Sequence, residues 1–149
     1  MFMAIDNLRE IARRCQLGES LPADLSVWLG TSLNEFLSHR QRSIDDALGI
    51  RRARGGVPWW MEEAMRRRDA ALRELAGRHF ASLSLSAQAR AIHTLSLRYG
   101  ATAWLFDRRT KTMPTEHGGK PRELLWRAFK SGAPMPIGER QLRHIMGNR

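Results

Sequence analysis

The sequence predicts an all-α fold, and three observations carry that prediction. Apolar residues recur every three to four positions along most of the 149 residues. Capping residues, glycines and prolines punctuate those stretches where helices would start and stop. No sustained period-two run and no Asn-Gly hairpin signal occurs anywhere. The expected architecture is a single-domain bundle of five to seven helices. It has a long central antiparallel pair and a helix-turn-helix-like pair at the C-terminus.

The N-terminal helical part covers residues 1–49. Ile5, Leu8, Ile11, Ala12 and Cys15 share a helical spacing over 4–17, with Asp6 as candidate N-cap, Gly18 as stop and Cys15 packed against the helix's neighbours. Leu21-Pro22 restarts the chain. Leu25, Trp28, Leu29, Ser32, Leu33, Phe36 and Leu37 then form an apolar stripe that runs to His39. Ser43-Ile44-Asp45-Asp46 opens a third, very short helix with capping-box spacing. A basic loop, residues 50–58, comes next, with three arginines, two glycines and a proline. We read it as a joint within one domain, because 49 residues bury a marginal core.

The central pair covers residues 59–107. Trp59–Phe80 presents Met61, Ala64, Met65, Leu72, Leu75, Ala76 and Phe80 on one side. Ser84 or Ser86 caps the next helix, Ala87–Asp107, which is apolar on two sides and so belongs at the centre. Gly100 inside it costs about 1 kcal/mol relative to alanine, which implies close approach by a neighbour. Residues 108–120 form a basic connector. The C-terminal pair, residues 121–147, starts with Pro121 at a first helical turn, stops at Gly132, and restarts after Ile137 with Leu142, Ile145 and Met146 inward. In outline this resembles a helix-turn-helix. It departs from one in its turn of about six residues and in spacings that do not match the usual pattern.

Charge carries most of the functional information. The chain has 25 Lys and Arg against 15 Asp and Glu, net +10. Residues 1–50 carry net −2, residues 51–83 net +4, and residues 84–149 net +8. Such asymmetry points the C-terminal part towards a polyanion. All but Lys111, Lys120 and Lys130 of the basic residues are arginine, whose planar fork suits phosphate and guanine. The run Arg66-Arg67-Arg68 is mostly paired within its own helix. Glu62, Glu63, Asp69 and Glu74 each precede an arginine by four residues, and Arg68 lies on the apolar side where its stem can pack.

Arg51, Arg52 and Arg54 sit on a glycine-rich loop that has no P-loop spacing but can follow a phosphate backbone. Lys120, Arg122 and Lys130 flank the first C-terminal helix as further phosphate contacts. Arg140, Gln141 and Arg143 face outward on the last helix, where Arg can pair with guanine and Gln with adenine. Most tryptophans read as core. Trp59 and Trp60 are the exception, because adjacent helical positions point about 100° apart and one ring must face away from the core.

No catalytic residue, metal ligand set or cofactor fingerprint is present. The five histidines and the lone Cys15 lack metal or nucleophile spacing. No apolar run is long enough for a transmembrane helix, and the N-terminus lacks a signal-peptide core, so no membrane is expected and the cytoplasm is the expected setting. The leading expectation is a small, non-enzymatic nucleic-acid-binding or regulatory protein. The arginine-rich style of the chain is that of bacterial, phage or mobile-element proteins, and no residue motif accompanies that style. The alternative is a protein-interaction module (an adaptor, an inhibitor or a subunit of an assembly or homo-oligomer) using Trp59 and Trp60.

Overall fold

The computed structural model describes residues 2–52 and 54–147, which contain helices and turns and no strand. Eight α-helices and one 3-10 turn occur among them: α1 (Phe2–Leu17), α2 (Ala23–Leu37), α3 (Ile44–Ala47), α4 (Trp59–His79), α5 (Leu85–Ala101), α6 (Trp104–Asp107), the 3-10 turn Thr115–His117, α7 (Pro121–Lys130) and α8 (Glu139–Gly147). The all-α expectation holds. Two of the eight helices are single turns. The chain divides into two compact units, Met1–Trp59 and Trp60–Arg149, at the end of the Arg/Gly segment 50–58.

In the first unit α1 starts before Asp6, which therefore lies inside the helix rather than capping it. Gly18 ends α1 in the left-handed region, at φ 69°. Ala4, Ile5, Ile11 and Leu25 are buried. Cys15 and Ala12 are exposed, so the expected inward face of α1 is narrower than its sequence spacing implies. The end of α2 also departs from expectation. The helix stops at Leu37, and Leu33, Phe36 and Leu37 are exposed. Ser43 caps α3 as anticipated: its hydroxyl accepts from the Asp46 amide at 3.1 Å and donates to Asp46 Oδ2 at 2.9 Å.

In the second unit the two long helices, α4 and α5, are joined by residues 80–84 and contribute to one buried core. Ser84 is the cap of α5, accepting from the Ala87 amide. Leu72 and Leu75 of α4, Ile92 of α5, Leu124 and Leu125 of α7 and Leu142 of α8 are the large side chains wholly removed from water. Burial on that scale contributes about 1.5–3 kcal/mol for each such side chain.

The helix expected to run unbroken to Asp107 breaks after Ala101. Thr102 leaves the helical region (φ −126°, ψ −95°), and its hydroxyl donates back to the Arg98 carbonyl at 2.7 Å. The break redirects the apolar side chains on either side of it. Trp104 packs on the core, whereas Leu97, Leu105 and Phe106 face water, so neither apolar side of the expected helix is buried along its whole length. Gly100 has the anticipated reason: a Cβ there would meet the Phe129 ring of α7 at 3.2 Å. Phe129 is itself wedged between Tyr99 and Trp104, each with its ring centroid 5.2 Å away.

The α7–α8 connection, residues 131–138, is longer than expected from the sequence. It takes α8 to α5, along which α8 packs. The turn is held from α4: the buried Arg68 donates to the Pro134 carbonyl and pairs with Asp69 at 2.7 Å. Arg73 donates to the Ile145 carbonyl at 2.9 Å, at the C-terminal end of α8. The expected Asp69–Arg73 pair is therefore replaced by contacts that fix α8. The Glu63–Arg67 and Glu74–Arg78 pairs form as expected, at 3.5 and 3.1 Å.

Candidate functional site

The clearest concentration of unspent charge lies in the first unit, and two helix ends build it. After α2 the chain turns through His39, which adopts a left-handed φ of 58°. The Arg40 and Gln41 amides close on the Glu35 carbonyl at 3.0 and 3.2 Å. After α3, Gly49 adopts φ 70°, and the Ile50 and Arg51 amides close on the Asp45 carbonyl at 3.0 and 3.2 Å. Because α3 is a single turn, segments 40–42 and 51–54 emerge on the same side of it. They line an open concavity of about 730 Å³.

Five arginines line this concavity: Arg40, Arg42, Arg51, Arg52 and Arg54. One carboxylate, Asp46, faces them. Arg51 Nη1 donates to Asp46 Oδ2 at 2.7 Å. The Arg51 guanidinium, and after it the Ser43 hydroxyl, hold the Asp46 carboxyl below the usual carboxylate range. Arg40 and Arg54 are exposed and make no side-chain hydrogen bond or ion pair among the described residues. The structure thus gathers the three arginines singled out in the loop and adds two that sequence reasoning passed over. The available signal was Arg40 and Arg42 sitting between two helix ends, with no carboxylate four residues before either of them.

The second unit treats its basic residues differently. Arg127 pairs with Glu123 at 2.8 Å and Glu74 at 3.4 Å. Lys130 donates to the carbonyls of Arg108 and Thr110 at 3.0 and 2.5 Å and lies 5.7 Å from the Trp126 ring centre. It stabilises the C-terminal end of α6 and does not extend towards a partner. Gln141 is exposed, and its Oε1 accepts from the Ile137 amide at 3.2 Å, which fixes the entry to α8. Arg140 and Arg143 extend into solvent from the same face of α8, with no side-chain partner among the described residues. Lys120 and Arg122 border a smaller concavity of about 430 Å³ beside His117. Trp60 is 59% exposed and Trp59 is half-buried, in keeping with the divergence of adjacent helical positions.

One polar cluster was not foreseen. Tyr99 Oη donates to Asp107 Oδ2 at 2.8 Å, and His117 Nε2 lies 2.7 Å from the same oxygen. All three residues are buried. Burial pushes the Asp107 carboxyl up, but the hydrogen bonds from His117 and Tyr99 outweigh it and leave the group below its usual range. Burial, then the bond to Asp107, pushes the Tyr99 hydroxyl upward. The cluster ties α5, α6 and the 3-10 turn together.

Among the described residues no group of three or more His, Cys, Asp or Glu side chains is arranged to hold a metal ion. No helix among them is long and apolar enough to cross a membrane. No protein-family model matches this sequence, and comparisons with curated proteins and with solved structures return no match.

Proposed function

We propose that the protein binds nucleic acid through its phosphates and carries out no chemistry of its own. The observation supporting this reading is the arginine concavity: five arginines line it, and Asp46 is the one carboxylate among its lining residues. Arginine is suited to phosphate because its planar fork donates two parallel hydrogen bonds to phosphate oxygens. Arg140 and Arg143 offer a second, smaller basic face on α8. With Gln141 engaged by the backbone, that face favours phosphate contact over base readout. DNA binding, regulation of a nucleic-acid process and a phage or bacterial setting belong to this same proposal.

The test is the affinity for random-sequence duplex DNA and for single strands as salt is raised. Several phosphate contacts give a log–log slope of about −0.9 per contact on duplex DNA. Arg40→Gln with Arg54→Gln should flatten the slope by about two. Undetectable binding at about 50 mM salt, or a slope untouched by these substitutions, overturns the proposal.

A second reading rests on a different observation. Leu33, Phe36 and Leu37 are exposed together at the end of α2. Grouped apolar side chains of this kind mark protein contacts more often than scattered ones do. On this reading the protein is an adaptor, an inhibitor or a self-associating subunit. Light scattering as a function of concentration distinguishes a self-associating chain from a monomer.

A further inference from the structure

We infer that the arginine concavity receives a condensed phosphate, a diphosphate or triphosphate group such as terminates a nascent RNA strand or forms the tail of a nucleotide, in preference to the single phosphates of a duplex backbone. This rests on the phosphate-binding reading above and names the form of phosphate.

The first argument is concentration of charge. All five arginines come from residues 40–54 and line one concavity of about 730 Å³. Duplex DNA presents its charges singly along a line, one per about 1.7 Å of axis. A protein surface matched to it spreads its cations along a stripe. A condensed phosphate gathers several charges and many acceptor oxygens into one small volume, which a cup of converging forks can surround.

The second argument is preorganisation. The two segments that carry the arginines are pinned at their roots by backbone hydrogen bonds to the Glu35 and Asp45 carbonyls. Arg51 is already braced by Asp46, and Asp46 by Ser43. A site whose backbone and one of whose forks are set before binding loses less conformational entropy when the ligand arrives. Arg40 and Arg54 extend from this frame without side-chain partners among the described residues, available to close on the ligand.

The third argument is the internal carboxylate. Asp46 occupies one fork, and a phosphate oxygen competes with it for Arg51. A backbone phosphodiester, with its single charge, gains little from that exchange. A group with several adjacent charges reaches the other arginines without displacing Asp46.

The experiment is isothermal titration of the full chain with inorganic triphosphate, and separately with orthophosphate, at about 50 mM salt without divalent cations. The expected result is at least tenfold tighter binding of triphosphate, and at least a tenfold loss in the Arg40→Gln/Arg54→Gln variant. Arg90→Gln/Arg109→Gln, at exposed positions of the second unit, should leave that affinity unchanged. Triphosphate binding no tighter than orthophosphate, or undiminished in Arg40→Gln/Arg54→Gln, overturns the inference. Both variants keep the backbone bonds that shape the site, and circular dichroism identifies a variant that has unfolded. In that event Arg40→Lys/Arg54→Lys, which retains charge and loses the fork, replaces it with the same expected direction.

Two further arms separate the sources and the two proposals. Competition by ATP and by a short RNA with a 5′-triphosphate, against the same RNA with a 5′-hydroxyl, assigns the group to a free nucleotide or to a strand end. Duplex DNA that binds without competition from triphosphate overturns this inference and leaves the general phosphate reading standing. Absence of binding by all of them overturns both.

Discussion

Replacing Asp107 by alanine should be among the most damaging single changes in the second unit. The carboxylate is the shared acceptor for two buried donors, Tyr99 Oη at 2.8 Å and His117 Nε2 at 2.7 Å. Its side chain is 12% exposed and that of His117 5%. Hydrogen bonds to a charged group contribute about 1.5–3 kcal/mol each, and removing one partner strands the others without water to replace it. Breaking a buried charged cluster in this way costs about 3–5 kcal/mol, so Asp107→Ala is expected to lose roughly 4 kcal/mol. Tyr99→Phe removes one donor, leaves the other in place and should cost about 1.5 kcal/mol. The double variant should cost little more than Asp107→Ala alone, because the tyrosine bond is already gone.

The assay is urea unfolding followed by tryptophan fluorescence, to which Trp104 contributes with its ring centre 6.2 Å from that of Tyr99. The pH dependence has a definite sign. The folded Asp107 group lies below its usual carboxyl value of about 3.9, so its contribution is full above that pH and is lost as pH falls through the lower folded value. The gap between wild type and Asp107→Ala should be flat from about pH 5 to 7 and should narrow below about pH 4. A loss under about 1 kcal/mol at neutral pH would refute this account of the cluster, as would strict additivity with Tyr99→Phe.

Two further changes probe other parts of the fold. Arg68→Met keeps the buried stem but removes the donors to the Pro134 carbonyl and Asp69, and should cost about 2–3 kcal/mol in the same urea titration. His39→Gly relieves a left-handed backbone on a non-glycine residue and should raise thermal stability by about 1 kcal/mol, with duplex affinity unchanged because the Arg40 and Gln41 amides keep their partner.

Much of the fold was legible because it is written in local rules. Ser43 and Ser84 cap where cap residues stand, Gly18 and Gly132 end helices in the left-handed region, and Gly100 meets an aromatic ring where its small size implied close approach. The break after Ala101 was not legible, since apolar residues continue across it at near-helical spacing. Only the tertiary arrangement shows that Trp104 and Asp107 are drawn inward, the latter by the Tyr99 hydroxyl and His117. Arg68 was placed correctly on the apolar side of α4, but its partner is a carbonyl 66 residues away, and no local pattern encodes that. The site was half legible. The Arg51, Arg52 and Arg54 loop announced itself by composition, whereas Arg40 and Arg42 join it only because α3 is a single turn and brings the chain back. Lys130 looked like a free cation in a basic helix end and turns out to bind two backbone carbonyls.

The clamp on α8 bears on the order in which the second unit assembles. Its two polar ties span 66 and 72 residues, Arg68 to Pro134 and Arg73 to Ile145. Contacts between α5 and α6 form across the short break at residues 102–103 and carry little loop-closure entropy. Leu142, Ile145 and Met146 must return across a far longer stretch of chain before they join Leu72, Leu75 and Ile92 in the core. An otherwise local helical topology is thereby given a distant closing step, which slows folding relative to a simple hairpin bundle. The assembly sequence expected on this ground starts with α5 and α6 and ends with the docking of α8. Until that docking, the apolar surface of α5 remains open to misassociation.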